Sequence, residues 1–170
     1  GPNPSPIQLE ARVWAAIGQG NMKQAIVTCR QLNKTFPEFA SGWYTASQLA
    51  AKLGNARGAL QAIEKALKLQ TGSPRWMLQK AGCLMRLGDT QAARPIVEQL
   101  DKLDLDTAFQ CSQLALQLSR LEQQERALHH YQRAIRLEPK QAEHYYNLAT
   151  VHRFLGSFTA AEQALENAIR

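Results

Sequence analysis

Apolar residues recur at intervals of three and four along most of the chain, which is the spacing of one face of an α-helix. Near the C-terminus Tyr145, Leu148, Ala149 and His152 make one stripe, and Ala161, Leu165 and Ala168 make a second after a break at Gly156. The pair of stripes returns every 34 residues: alanine stands at Ala25, Ala59, Ala93, Ala127 and Ala161. Fifteen residues into each repeat come Gly20, Gly54, Gly88, Glu122 and Gly156, and seven past each alanine come Leu32, Ala66, Leu100, Ala134 and Ala168. The pattern predicts two short helices per repeat, near residues 7–18 and 23–35 and then every 34 residues, joined by a tight turn. Glycine suits that turn because it takes φ > 0 without steric cost, and the small alanine five residues later lets two helix backbones approach closely. Neither helix can bury its stripe alone, so the repeats must stack as an array. Pro95 falls inside the second helix of the third repeat, where it removes a backbone hydrogen bond and crowds the preceding turn. A kink or a late helix start is expected there.

At these positions the chain resembles the tetratricopeptide repeat (TPR) family, whose signature has an aromatic at the fourth place, a small residue at the eighth, alanine at the twentieth and proline near the thirty-second. The fifth repeat matches through Tyr145, Leu148, Ala149, Gly156, Ala161, Leu165 and Ala168, and the fourth through Leu114, Ala115, Ala127, Tyr131, Ala134 and Pro139. The second keeps Trp43, Ser47, Leu53, Gly54, Ala59 and Ala66, with Thr71 in the proline place. The first has Leu9 for the aromatic and keeps Gly20, Ala25 and Pro37. The third is the weakest match, with Lys80 where leucine is usual and Leu105 for the proline. The resemblance implies an all-α protein, a right-handed α-solenoid of five helix-turn-helix units at 6–39, 40–73, 74–107, 108–141 and 142–170, the last truncated. Residues 1–5 read as a tag scar, Gly1 and Pro2, and a disordered start. Because the last repeat stops within its second helix at Arg170 and no polar capping helix follows, more repeats or another domain are expected beyond it. The apolar face around Leu165, Ala168 and Ile169 is then expected to be sticky, with end-to-end self-association.

Charge and composition narrow the function. The net charge of +6 is spread over the five repeats as +2, +3, 0, +2 and −1, so no block is dense enough to favour nucleic acid. Pentatricopeptide RNA readers have a similar hairpin, but the strict period and the alanine and proline places favour the protein-binding family. No apolar run approaches the roughly 20 residues that span a bilayer, and no signal peptide is visible, which predicts a cytoplasmic location and no membrane partner. Cys29, Cys83 and Cys111 fall at apolar helix positions without paired spacing and are expected as buried free thiols. His129 and His130 are neighbours on a helix that reads as exposed, and His152 takes a core place usual for tyrosine; no metal site is expected. The acidic stretch Asp101, Asp104 and Asp106 reads as a solvated helix end. There is no glycine-rich phosphate loop, nucleophile elbow or carboxylate pair with a histidine, so neither an enzyme nor a cofactor is expected from this chain.

The resemblance also implies a binding surface. The first helix of each repeat lines the concave side, presenting its second, fifth, sixth, ninth, twelfth and thirteenth places. The sixth place holds Thr45, Gln79, Gln113 and Asn147, all able to bond a peptide backbone. The thirteenth holds Lys52, Arg86 and Arg120, with Arg153 one residue earlier in the fifth repeat. Trp14, Tyr44, Leu116, Tyr146 and Phe154 add apolar contact, and Gln48 stands at a ninth place. A protein or an extended peptide, acidic or with a free carboxylate, is the expected partner. Cochaperone TPR domains clamp a carboxylate with a lysine and an asparagine four apart in the first unit, and this chain has Glu10 and Trp14 there. The amide ladder is more like the TPR region of protein O-linked sugar transferases, and bacterial proteins also join such arrays to a sulfotransferase domain. The expected role is a peptide-binding module serving as recognition arm of a larger protein. The alternatives are the substrate-docking region of a protein-modifying transferase, a self-associating scaffold and, least favoured, an RNA binder.

Overall fold

The computed structural model describes residues 2–170. Among them lie ten α-helices and no strand: α1 Pro6–Gly18, α2 Met22–Thr35, α3 Ala40–Lys52, α4 Ala56–Leu69, α5 Pro74–Arg86, α6 Thr90–Asp101, α7 Ala108–Arg120, α8 Gln124–Leu137, α9 Ala142–Phe154 and α10 Phe158–Ala168. The packing divides into two compact units, Gly1–Asp89 and Thr90–Arg170, and the division falls inside the third repeat, at the turn after α5.

The turn inside each repeat is built the same way five times. After α1, the N–H of Gly20 donates to the carbonyl of Ile17 and that of Asn21 to Ala16, the pair of bonds that satisfies the last carbonyls of a helix ending in a left-handed residue. The same pair recurs at Gly54, Gly88, Glu122 and Gly156. All five residues have positive φ, and Glu122, at 63°, is the one without glycine's freedom. The next residue then opens the second helix. Asn21 and Asn55 cap α2 and α4 by accepting from the backbone N–H of Gln24 and Gly58. Ser5, which the sequence groups with a disordered start, has a defined place as N-cap of α1, forming a reciprocal capping box with Gln8. The part of that reading that concerns Gly1 lies outside the described residues.

The five phased alanines are all buried, between 0% and 3% exposed. In the first unit Ala25 packs with Val13, Ala16, Cys29 and Leu49, and a second cluster joins Ala40, Ile63, Ala66 and Trp76. In the second unit Ala161 packs with Ala149, Ala164 and Leu148, while Leu114 and Leu118 of α7 are fully buried. Each such leucine contributes about 1.5–3 kcal/mol relative to an exposed one. The three cysteines are free and buried, and burial pushes each thiol up, Cys29 to about 11.

The third repeat departs from expectation. Despite Pro95, α6 starts in register at Thr90, so there is no late start. It ends instead at Asp101, two residues short of the place where α2, α4 and α8 end. In the following loop Leu105 takes the proline's place by burial, at 3% exposure. Its carbonyl accepts from Arg133 Nε at 2.9 Å and from Cys111 Sγ at 3.6 Å, two tethers that replace a rigid ring. The end of α6 is not simply solvated either. Asp101 accepts from Arg126, and His130 Nε2 lies 2.5 Å from its Oδ1, while Arg126 also reaches Glu98 at 3.2 Å. His130, read from the sequence as exposed, is buried at 4% exposure, on the inward side of α8 and against Asp101.

Candidate functional site

In the first unit, Tyr44, Gln48 and Lys52 stand four residues apart along one face of α3, as helical geometry requires. The Tyr44 ring stacks on Trp76 of α5, with centroids 5.7 Å apart, and its hydroxyl accepts from Gln48 Nε2 at 3.1 Å. Burial raises the Tyr44 hydroxyl above its ordinary value, against the pull of nearby Arg75, so it stays protonated at neutral pH. Gln48 Nε2 donates as well to Gln79 Oε1 at 3.0 Å, and Gln79 Nε2 donates to Ser47 Oγ at 3.0 Å. Ser47 Oγ–H in turn donates to the Ala59 carbonyl at 2.7 Å. Both ends of the Gln79 amide are thus used in joining α3 to α5.

Thr45, expected from the sequence to face a ligand, is buried instead. It is 1% exposed and its hydroxyl donates to Glu10 Oε2 at 2.9 Å, alongside Ser41 at 2.6 Å. Thr45 and Gln79, both at the sixth place, turn toward the preceding first helix and bond to a neighbouring repeat. Lys52 and Arg86 are exposed, and neither has an ion-pair partner among the described residues. Trp14 on α1 is 42% exposed.

In the second unit, Phe109, Gln113, Leu116 and Arg120 follow one another at intervals of four, three and four, a single stripe along α7. Phe109, 61% exposed, is a residue the sequence reading passed over, although it holds a second place that the resemblance turns toward a ligand. On α9, Tyr146 and Phe154 are 48% and 70% exposed, with Asn147 half-buried and Arg153 exposed. The amides of Gln113 and Asn147 make no hydrogen bond to the described residues, in contrast to Gln79. Both stripes therefore combine exposed apolar side chains, an amide and an arginine toward the helix end.

One arrangement in the second unit has the parts of a nucleophilic site. Ser112 Oγ lies 3.1 Å from His144 Nδ1, and His144 Nε2 lies 3.0 Å from Glu138 Oε1. Ser112, however, sits inside α7, where the backbone N–H groups around it are consumed by the helix and none is left to stabilise an oxyanion. The three side chains tie α7 to the start of α9. No three His, Cys, Asp or Glu side chains among the described residues converge as a metal would need, and no described helix is long and apolar enough to cross a membrane.

Comparison with known proteins agrees with the repeat pattern. Residues 50–118 match a family model described as tetratricopeptide repeat, and residues 117–156 match one described as TPR repeat. No curated protein matches the chain. Among similar solved structures is MamA, residues 41 to the end, from Desulfovibrio magneticus RS-1, at 17% identity and TM-score 0.78, covering 96% of this chain and 93% of that one. YrrB, described as a TPR protein with an unusual peptide-binding site, is 16% identical with TM-score 0.71, covering 97% and 85%. A chain of the APC/C hetero-tetramer Cut9–Hcn1 is 20% identical with TM-score 0.82, covering 97% of this chain and 33% of its own length. At such identities the likeness speaks for the fold.

Proposed function

The chain belongs to the tetratricopeptide repeat family, and on that premise we propose that it is a protein-interaction module binding an extended, acidic peptide segment through its first helices. The observation that carries this is the α7 stripe, where Phe109 and Leu116 are exposed beside the unpaired Gln113 and Arg120. YrrB, with its peptide-binding site, supports the reading by analogy. Each charge-assisted hydrogen bond is worth about 1.5–3 kcal/mol, whereas association costs on the order of 4–15 kcal/mol. Polar contacts alone leave little net affinity. The exposed rings of Phe109, Tyr146 and Trp14 supply the rest, and micromolar binding of a short peptide is expected. In this reading Thr45 and Gln79 support the face of the first unit from behind, where Gln48, Lys52 and Arg86 meet a ligand, and Gln113, Leu116, Arg120, Asn147 and Arg153 do so on the face of the second unit.

The test is selection of binders from a random peptide library on the immobilised chain, followed by titration against the double variant Arg86→Glu with Arg120→Glu. Acidic peptides should be enriched, and the double variant should lose their binding at least about tenfold, or 1.4 kcal/mol, while keeping its helical signal. Equal binding by the double variant would remove the basic faces from the account.

A second copy of the chain is the alternative partner. Phe158, Leu165 and Ile169 lie at intervals of seven and four on α10 and its C-cap, and are 65%, 37% and 78% exposed. Light scattering over a concentration series separates the two readings: a mass rising with concentration, and falling back in Phe158→Ser, supports self-association, whereas a constant monomer mass excludes it.

A further inference from the structure

We propose that the junction between α2 and α3 is a binding pocket for a small carboxylate with an apolar body. A cavity of about 310 Å³ opens there, walled by Ile26, Cys29, Ala46, Leu49 and Ala50. That volume reaches the lower end of the range of small-molecule sites, roughly 300 Å³ upward. The repeats themselves explain why it exists. Cys29 stands where the corresponding places hold Ile63 and Tyr131; Ala50 where they hold Leu84 and His152; Asn33 where they hold Leu67 and Ile135. At the α4–α5 and α8–α9 junctions all three places thus carry bulkier side chains, and at α6–α7 the first two do, as Val97 and Leu118, with Asp101 at the third. Interiors pack to crystal-like density, so three small or polar residues at one junction leave a shaped space instead of a general looseness.

The rim sets the ligand's polarity. Arg30 is the only charged residue lining the cavity, and it is exposed without an ion-pair partner among the described residues. Asn55 uses Oδ1 to cap Gly58, which leaves its amide N–H groups free to donate. The free donors at this rim, Arg30 and Asn55, select an acceptor, and a carboxylate satisfies both groups. Asn33, which also lines the cavity, donates to Cys29 Sγ at 3.6 Å and keeps a buried Oδ1 without a partner among the described residues. The floor is different. Cys29 has its thiol pushed up to about 11 by burial, so it is a neutral, apolar wall, and the field of Glu10 reaches it. Glu10 repels a second anion from that end. The carboxylate head therefore belongs at Arg30 and Asn55, with the apolar body directed toward Cys29 and Leu49.

The probes are 3-phenylpropionate and its uncharged amide, titrated into the isotope-labelled full chain and followed by amide NMR shifts. Saturable shifts are expected at Cys29, Asn33, Leu49 and Ala50, with the amide binding about tenfold more weakly. Arg30→Gln should bring the carboxylate down to the level of the amide. Ala50→Leu, which copies the residue of the next repeat, should abolish binding while the unfolding midpoint holds or rises. A readout independent of any filled variant is alkylation of Cys29, which the carboxylate should slow relative to Cys83 and Cys111. The proposal is overturned by absent or non-saturable shifts up to about 10 mM, roughly tenfold above a 1 mM Kd. It is equally overturned by a folded Ala50→Leu that binds as before, or by Cys29 alkylation that ignores the ligand.

Discussion

Glu122 takes a φ of 63° at a place where the other four repeats have glycine at 75° to 82°. A side chain in the left-handed region costs roughly 1–2 kcal/mol, part of which glycine returns through its greater freedom in the unfolded chain. Glu122→Gly should therefore stabilise the protein by about 0.5–1 kcal/mol, seen as a rise of up to about 2–4 °C in Tm. A lower Tm would show that the turn does not carry this strain. The turn was legible in the sequence because a backbone demand is recorded directly in residue type, four glycines and one exception. The direction of Thr45 was not. Its place number fixes an angle around α3, but its partner Glu10 comes from 35 residues away and decides whether the hydroxyl faces ligand or neighbour. Gln79, bonded to Ser47 across 32 residues, was hidden for the same reason, while Phe109 was visible as an aromatic at an outward place.

Among the elements, α6 and α8 are joined by a contact that responds to acid. Burial pushes His130 below the ordinary histidine value of about 6.5, and neighbouring His129 and Arg126 repel its charge, despite Asp101 beside it. Its Nδ1 is buried without a hydrogen-bond partner, so Nε2–H donates to Asp101 and a second ring proton would have nowhere to go. Burial pushes Asp101 up, but hydrogen bonds from His130 and Arg126 outweigh it and hold the carboxyl below its ordinary value of about 3.9. For both groups the unfolded chain takes the proton more readily. The stability they contribute is full above about pH 6.5 and is lost on acidification, first through the histidine and then, below about 3.9, through the aspartate. Urea midpoints measured from pH 7.5 to 4.5 should fall, and His130→Leu should flatten the slope between pH 6.5 and 4.5. An unaltered slope in that variant would assign the acid response elsewhere. The sequence read His130 as exposed because the stripe around it is polar. The repeat register held the better signal, since Thr28 and Ala62 at the corresponding places are buried as well.

At the scale of the molecule, helix order and helix starts were written in the 34-residue period, because stacking requires the same small and apolar residues in every repeat. The division after Asp89 and the cavity at α2–α3 were not, because they depend on how individual side chains fill a junction. The central claim is that ligand lies on the first helices, α3 and α5 in one unit and α7 and α9 in the other. Its most direct test is a map of amide shifts on titrating a selected acidic peptide into the labelled chain. The account predicts changes at Tyr44, Gln48, Lys52 and Arg86, and at Phe109, Gln113, Leu116, Arg120, Tyr146 and Asn147, with the second helices unmoved. Changes concentrated instead on the outward faces of α2, α4, α8 and α10 would contradict it.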